Sequence, residues 1–131
     1  PTLLGPILEE LIAEFEPLAR ARGQSFARRW EAGAQCLVPV EILEVIVANI
    51  LQNAVRHGAP GPIDIQANDH EIRIANSADG RVAESGFGFG LKIVTRLSEQ
   101  AGGSVETASH DGCFTTTVRL RAPGAGGGSR P

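Results

Sequence analysis

The sequence has no excess of positive charge, only two cysteines and no long uninterrupted apolar run. In its 131 residues, 12 Lys and Arg stand against 15 Asp and Glu, a formal net charge of −3. Nucleic acid favours basic surfaces, so this balance argues against it as a partner. No apolar stretch reaches the roughly 20 residues that a membrane-spanning helix needs, and no secretory leader is visible. Cys36 and Cys113 lie in neither a CxxC nor a ligand cluster, and His57, His70 and His110 are far apart. The usual spacing of a zinc site is therefore missing. Two reduced, mostly buried thiols of a cytosolic protein are expected, with a Cys36–Cys113 disulfide left open. The P-loop pattern GxxxxGKS/T does not occur, and no internal repeat is visible. The remaining composition, 42% hydrophobic and 21% charged, is that of an ordinary globular domain with a real core. The chain starts at Pro1 rather than Met and is expected to be a piece of a longer one.

Leu8, Leu11, Ile12, Phe15, Leu18 and Ala19 recur at helical spacing and predict an amphipathic helix over Pro6 to Arg22, with a candidate kink at Pro17 and an end at Gly23. Gln24 to Glu31 and Gln35 to Val38 read as short strands around a turn at Ala32-Gly33. A second helix is expected from Pro39 to His57, stopped by Gly58-Ala59-Pro60-Gly61-Pro62. Ile63 to Ala67 and Glu71 to Ala75 alternate as strands around Asn68-Asp69-His70, and Asn76 to Ser85 reads as a polar loop. Phe89 to Gln100 reads as a third helix, capped by Ala101-Gly102-Gly103. Ser104 to Ser109 and Cys113 to Arg121 form a hairpin across Asp111-Gly112. Ala122 to Pro131, rich in Gly and Pro, reads as a tail or linker beyond a domain of residues 1–121. Strands in antiparallel pairs with helices inserted between them favour an α+β two-layer sandwich, a mixed and mostly antiparallel sheet with helices on one face.

Three segments carry candidate chemistry. In the second helix, Asn49, Asn53 and Arg56 share one stripe with Ile42, Val45 and Ile46 of earlier turns. Two carboxamides and a guanidinium thus interrupt a face expected to be buried. An unsatisfied buried amide costs about 1–3 kcal/mol, so a group from outside the helix is expected to satisfy them; a metal–phosphate ligand would do so. Gly86-Phe87-Gly88-Phe89-Gly90-Leu91 leads into the third helix. Its bare backbone can approach phosphate oxygens and its first N–H groups favour anions, although a hinge before a packed helix would use glycine equally. Ile74-Ala75-Asn76-Ser77-Ala78-Asp79-Gly80 ends a strand in a polar turn whose side chains can read a base edge or form an ordinary loop.

Taken in order, NxxxNAxxH on a helix, a strand ending Asn-Ser-Ala-Asp-Gly and GxGxGLxIV entering a helix resemble the ATP-binding catalytic domain of bacterial sensor histidine kinases. That domain has the Bergerat (GHKL) ATPase fold shared with gyrase and mismatch-repair proteins. The resemblance covers about Leu8 to Leu120. It implies that Asn53 ligates Mg²⁺ through its carboxamide oxygen, a hard ligand of the kind Mg²⁺ takes beside nucleotide phosphates. It implies that Asn49 serves catalysis at the metal hydration shell or phosphates, that Arg56 reaches phosphate, and that His57 lies against ribose or base. Gly86, Gly88 and Gly90, with Leu91 after them, match the second glycine box along the triphosphate, and Gly80 matches the first. Glu44 is a candidate for polarising the acceptor histidine, with a solvent-facing role as its alternative.

Two positions depart from the family pattern. The aspartate that accepts from the adenine amino group is replaced by Asn76, whose oxygen can accept but is uncharged; a shifted register offers Asp79. The segment Arg81 to Ser85 is shorter than the usual lid over the phosphates. The resemblance implies a domain that binds Mg·ATP and donates the γ-phosphoryl group to a histidine on the dimerisation hairpin of its parent kinase. A response regulator would lie downstream. The fragment is expected to be monomeric and its parent a homodimer, cytoplasmic here and anchored in the bacterial inner membrane. The alternatives are a degenerate regulatory module that docks partners and, within the superfamily, a serine kinase acting on an anti-anti-sigma partner.

Overall fold

Strands that alternate apolar and polar residues bury one face each and need a second layer to cover it. The computed structural model describes residues 1–77 and 88–123; the expectations for Asp79, Gly80, Gly86, residues 81–85 and the tail from 124 onward lie outside these. A short strand β1 (Thr2–Leu3) leads into helix α1 (Leu4–Ala21), followed by β2 (Gln24–Trp30) and β3 (Gln35–Cys36). Helix α2 (Val40–His57) precedes β4 (Gly61–Ala67) and β5 (Glu71–Ser77). Helix α3 (Gly88–Gln100), β6 (Ser104–His110) and β7 (Cys113–Arg119) complete the described fold. The main sheet has five strands in the order β2-β4-β5-β7-β6. Only β2 and β4 run parallel; the other neighbours are antiparallel. This is the expected mixed, mostly antiparallel sheet, with three helices among the described residues.

The core lies between the layers. Leu4, Leu8 and Ile12 of α1 and Leu43, Ile46 and Leu51 of α2 are fully or almost fully buried, as are Ile63, Ile65, Ile72 and Ile74 of the central strands. The opposite sheet face is polar and carries ion pairs. Arg29 pairs with Asp64 at 2.6 Å, Arg73 with Glu71 at 3.1 Å and Arg119 with Glu106 at 3.4 Å. The hydrogen bond from Arg29 holds the Asp64 carboxyl below the usual carboxylate range. Among the described residues, no helix is long and apolar enough to cross a membrane.

Several local expectations change. The strands on either side of Ala32-Gly33 do not pair with each other: β3 pairs with β1, Thr2 opposite Cys36, while β2 joins β4. That placement buries Phe26 beside Ile63 and lets Arg28 reach Glu9 of α1 at 3.2 Å. Pro17 leaves α1 unbroken; the residue whose carbonyl it cannot pair, Ala13, is exposed to water. Asn76 belongs to β5 rather than to a loop, because β7 extends the ladder and sets it opposite Phe114. Both thiols are free; Cys36 is buried, which pushes its thiol pKa up, whereas Cys113 is exposed. Trp30 and Phe15 are half-buried at the margin of the core. Gly102 closes α3 in the left-handed region at φ 85°, and the Gly103 N–H returns to Ser98 O at 2.8 Å.

Candidate functional site

Helix α2 is amphipathic, but its polar stripe lies elsewhere than its sequence suggests. Leu43, Ile46, Val47, Ile50, Leu51, Ala54 and Val55 form the buried face. Val45 is 43% exposed, Ile42, Asn49 and Asn53 are half-buried, and Arg56 is exposed. The carboxamides therefore stand at the edge of the buried face rather than interrupting its centre. The seven buried residues already fill the surface that faces sheet and neighbours, and the Asn49 stripe is rotated to one side of it.

The two asparagines are satisfied differently. Asn49 Nδ2 donates to Val45 O of its own helix at 2.8 Å. Asn53 Nδ2 is buried and has no acceptor among the described residues. A buried donor in that state costs about 1–3 kcal/mol, and an acceptor brought from outside the helix would remove the cost. One turn on, the Arg56 side chain is exposed and its carbonyl accepts from Arg22 Nη2 at 2.8 Å. His57, half-buried, is the last residue of the helix.

The structure brings this helix end against Asn76. Gly58 leaves α2 in an extended conformation, φ −79° and ψ 153°, with its N–H still bonded to Ala54 O at 2.9 Å. Asn76 is 3% exposed, and its Nδ2 donates to Ser77 O at 3.0 Å. Ser77 O also accepts from Ala59 N–H at 2.8 Å. A Cβ on Gly58 would lie 3.1 Å from Asn76 Nδ2 and 3.2 Å from Gln24 Nε2. Gln24 was not among the sequence candidates. Its signal was a polar residue at the first inward position of β2, two before the buried Phe26.

Gly88 and Gly90 form the first turn of α3, which packs against α2; Leu91 follows, half-buried, and Lys92 is exposed. A groove of about 400 Å³ runs along Leu91, Lys92, Thr95, Arg96 and Glu99. A different cavity, about 380 Å³, lies by Arg29, Trp30, Gln66 and Glu71 at the opposite end of β5 from Asn76 and contains none of the sequence candidates. Glu44 lines a third, between α1 and α2, with Glu10, Glu14 and Val45. Among the described residues, no three His, Cys, Asp or Glu side chains converge to hold a metal. Among the described residues, the side-chain oxygens that the Asn49 and Asn53 stripe of α2 offers a divalent cation are those of carboxamides, hard ligands of a type that suits Mg²⁺.

Comparison with known proteins gives this arrangement a family. Residues 40–125 match the family model described as histidine kinase-, DNA gyrase B- and HSP90-like ATPase. No curated protein sequence matches. The fold matches the cytoplasmic segment of histidine kinase QseC with a TM-score of 0.77, 21% identity, and coverage of 92% of this chain and 76% of that one. It matches the catalytic domain of histidine kinase ThkA with a TM-score of 0.76, 17% identity, and coverage of 91% and 94%. Full-length ShkA, in complex with AMPPNP, matches with a TM-score of 0.65, 22% identity and 90% of this chain, which spans 30% of that protein. The model match takes in α2, β5 and α3, the elements that carry the carboxamides and glycines, and so the chain belongs to the histidine kinase-, DNA gyrase B- and HSP90-like ATPase family.

Proposed function

We propose that this chain is the catalytic domain of a sensor histidine kinase, holding Mg·ATP and passing its γ-phosphoryl group to a histidine on the dimerisation hairpin of the parent protein. The observation that carries the reading is Asn53, whose buried amide lacks a partner among the described residues in a chain whose family implies ATP binding. The AMPPNP complex of ShkA, which shares this fold, supports the same ligand class.

In this reading Asn53 Oδ1 ligates Mg²⁺ and its amide nitrogen finds an acceptor among phosphate or water oxygens. Asn49 Oδ1 orders the metal's water shell. Arg56 and His57 face phosphate and ribose, and Asn76 faces the base. Gly88 and Gly90, with Gly80, Gly86 and Leu91, line the triphosphate, where the first N–H groups of α3 favour anions. When bound, Mg²⁺ neutralises charge that gathers on the phosphoryl oxygens. The acceptor imidazole nitrogen forms a bond to the γ-phosphorus as the bond to the bridging oxygen breaks, and ADP leaves. The chain's own contribution is positioning and electrostatic support.

Residues 1–121 would form the domain and 122–131 a tail. The hairpin and a response regulator would be its partners, in a cytoplasmic location below a membrane anchor of the parent. The regulatory-module alternative rests on Asn76 standing where the family has an aspartate. Calorimetric titration with Mg·ATP and Mg·ADP separates the two. Saturable binding, with little turnover by the fragment alone, is expected; no heat of binding at millimolar nucleotide would reject the kinase reading.

A further inference from the structure

Gln24 fastens the end of α2. It is 5% exposed, and its Nε2 donates to Val55 O and Gly58 O, each at 3.1 Å. The last carbonyls of a helix have no N–H of their own helix to accept from, so this side chain replaces water there. The bond to Gly58 O fixes the peptide that leads to Ala59, whose N–H donates to Ser77 O at 2.8 Å. That same oxygen accepts from Asn76 Nδ2 at 3.0 Å. A chain of contacts thus runs from Gln24 through Gly58 and Ala59 to the Ser77 carbonyl and the Asn76 amide. Turning the amide over would set Oδ1 against the Ser77 oxygen, two acceptors facing each other in a buried place. The amide therefore has one favoured orientation, with Nδ2 on the Ser77 carbonyl and Oδ1 turned away from it.

We propose that Gln24 is a positioning residue for base selection: by fixing the Gly58–Ala59 link it holds the Asn76 amide with only Oδ1 toward the base, selecting a purine with an exocyclic amino donor over one with a carbonyl there. The inference rests on the nucleotide site proposed above. A free carboxamide offers a donor and an acceptor and would suit either purine. A carboxylate selects because it can only accept. Here a neutral group selects because its donor is already engaged, so discrimination depends on a glutamine that does not touch the base.

The test is calorimetry with Mg·ADP and Mg·GDP on the intact chain and on Gln24→Met, a variant of similar length without donors, with folding checked by circular dichroism. The expected wild-type preference for ADP is tenfold or more, and in the variant it falls about fivefold, the scale of one lost hydrogen bond. A folded Gln24→Met that keeps the wild-type ratio overturns the proposal, even if both affinities drop, because a purely structural glutamine would weaken both alike. A wild type that binds ADP and GDP within twofold also overturns it while leaving the nucleotide site standing. If neither nucleotide binds the wild type, the site itself falls. A second measurement needs no variant: Asn76 side-chain amide protons in the wild type should exchange with solvent far more slowly than those of exposed Gln52. Equal rates would refute the lock.

Discussion

Asn53→Ala should weaken Mg-dependent binding of ATP by tenfold or more, about 1.4 kcal/mol or above, without weakening the fold. The two halves of this expectation have separate causes. In the free protein the Asn53 amide is buried and lacks an acceptor among the described residues, so removing it removes a penalty. Alanine is also a better helix former than asparagine. The melting temperature of the free variant should equal or exceed that of the wild type. In the proposed complex the same change would delete a metal ligand and a donor to the ligand's oxygens. Titration with and without Mg²⁺ reads the first half and a thermal melt reads the second. A variant that binds Mg·ATP as tightly as the wild type would show that the amide is only a tolerated defect.

Gly58→Ala should lower stability by about 1–3 kcal/mol, as overpacking of a filled site does, and depress the melting temperature by several degrees. The backbone is not the obstacle, since φ is −79° and any residue can adopt it. The obstacle is space. The new methyl would run into the Ala54 carbonyl oxygen and crowd Asn76 Nδ2 and Gln24 Nε2 from 3.1 and 3.2 Å. The first of these is backbone that cannot retreat without opening the last turn of α2. A variant that melts with the wild type would mean the helix end yields more readily than the geometry implies.

Elements set by local pattern were legible. α2 announced itself by its period and by Pro39 before and Gly58 after; β4–β5 and β6–β7 did so by alternation around short polar turns. Partners distant in sequence were not. Nothing in Gln24 to Trp30 says that it will lie beside β4 rather than beside the strand that follows it, because pairing is decided by which apolar faces need cover. Asn76 looked like the start of a loop, since polar residues end strands in isolation, yet β7 supplied a partner for it. The stripe of Asn49 and Asn53 was found at the right spacing but placed too deep. Helical period gives which residues share a face, and only packing decides which face is covered. Gln24 escaped notice for the same reason: its value lies in two carbonyls of a helix over thirty positions away.

The parallel pairing of β2 with β4 has a kinetic consequence. The two hairpins return on themselves and can zip from neighbouring residues, whereas β2 must wait until α2 has been laid down before it meets β4. Closing that larger circuit costs entropy before any contact repays it. Native-state hydrogen exchange should therefore find the β2–β4 ladder opening more readily than those of the two hairpins, β4–β5 and β6–β7; equal protection would refute this order. Gln24 rides on a strand that closes later than either hairpin, so in the proposed nucleotide site the contacts that choose the base would mature after those the hairpins set.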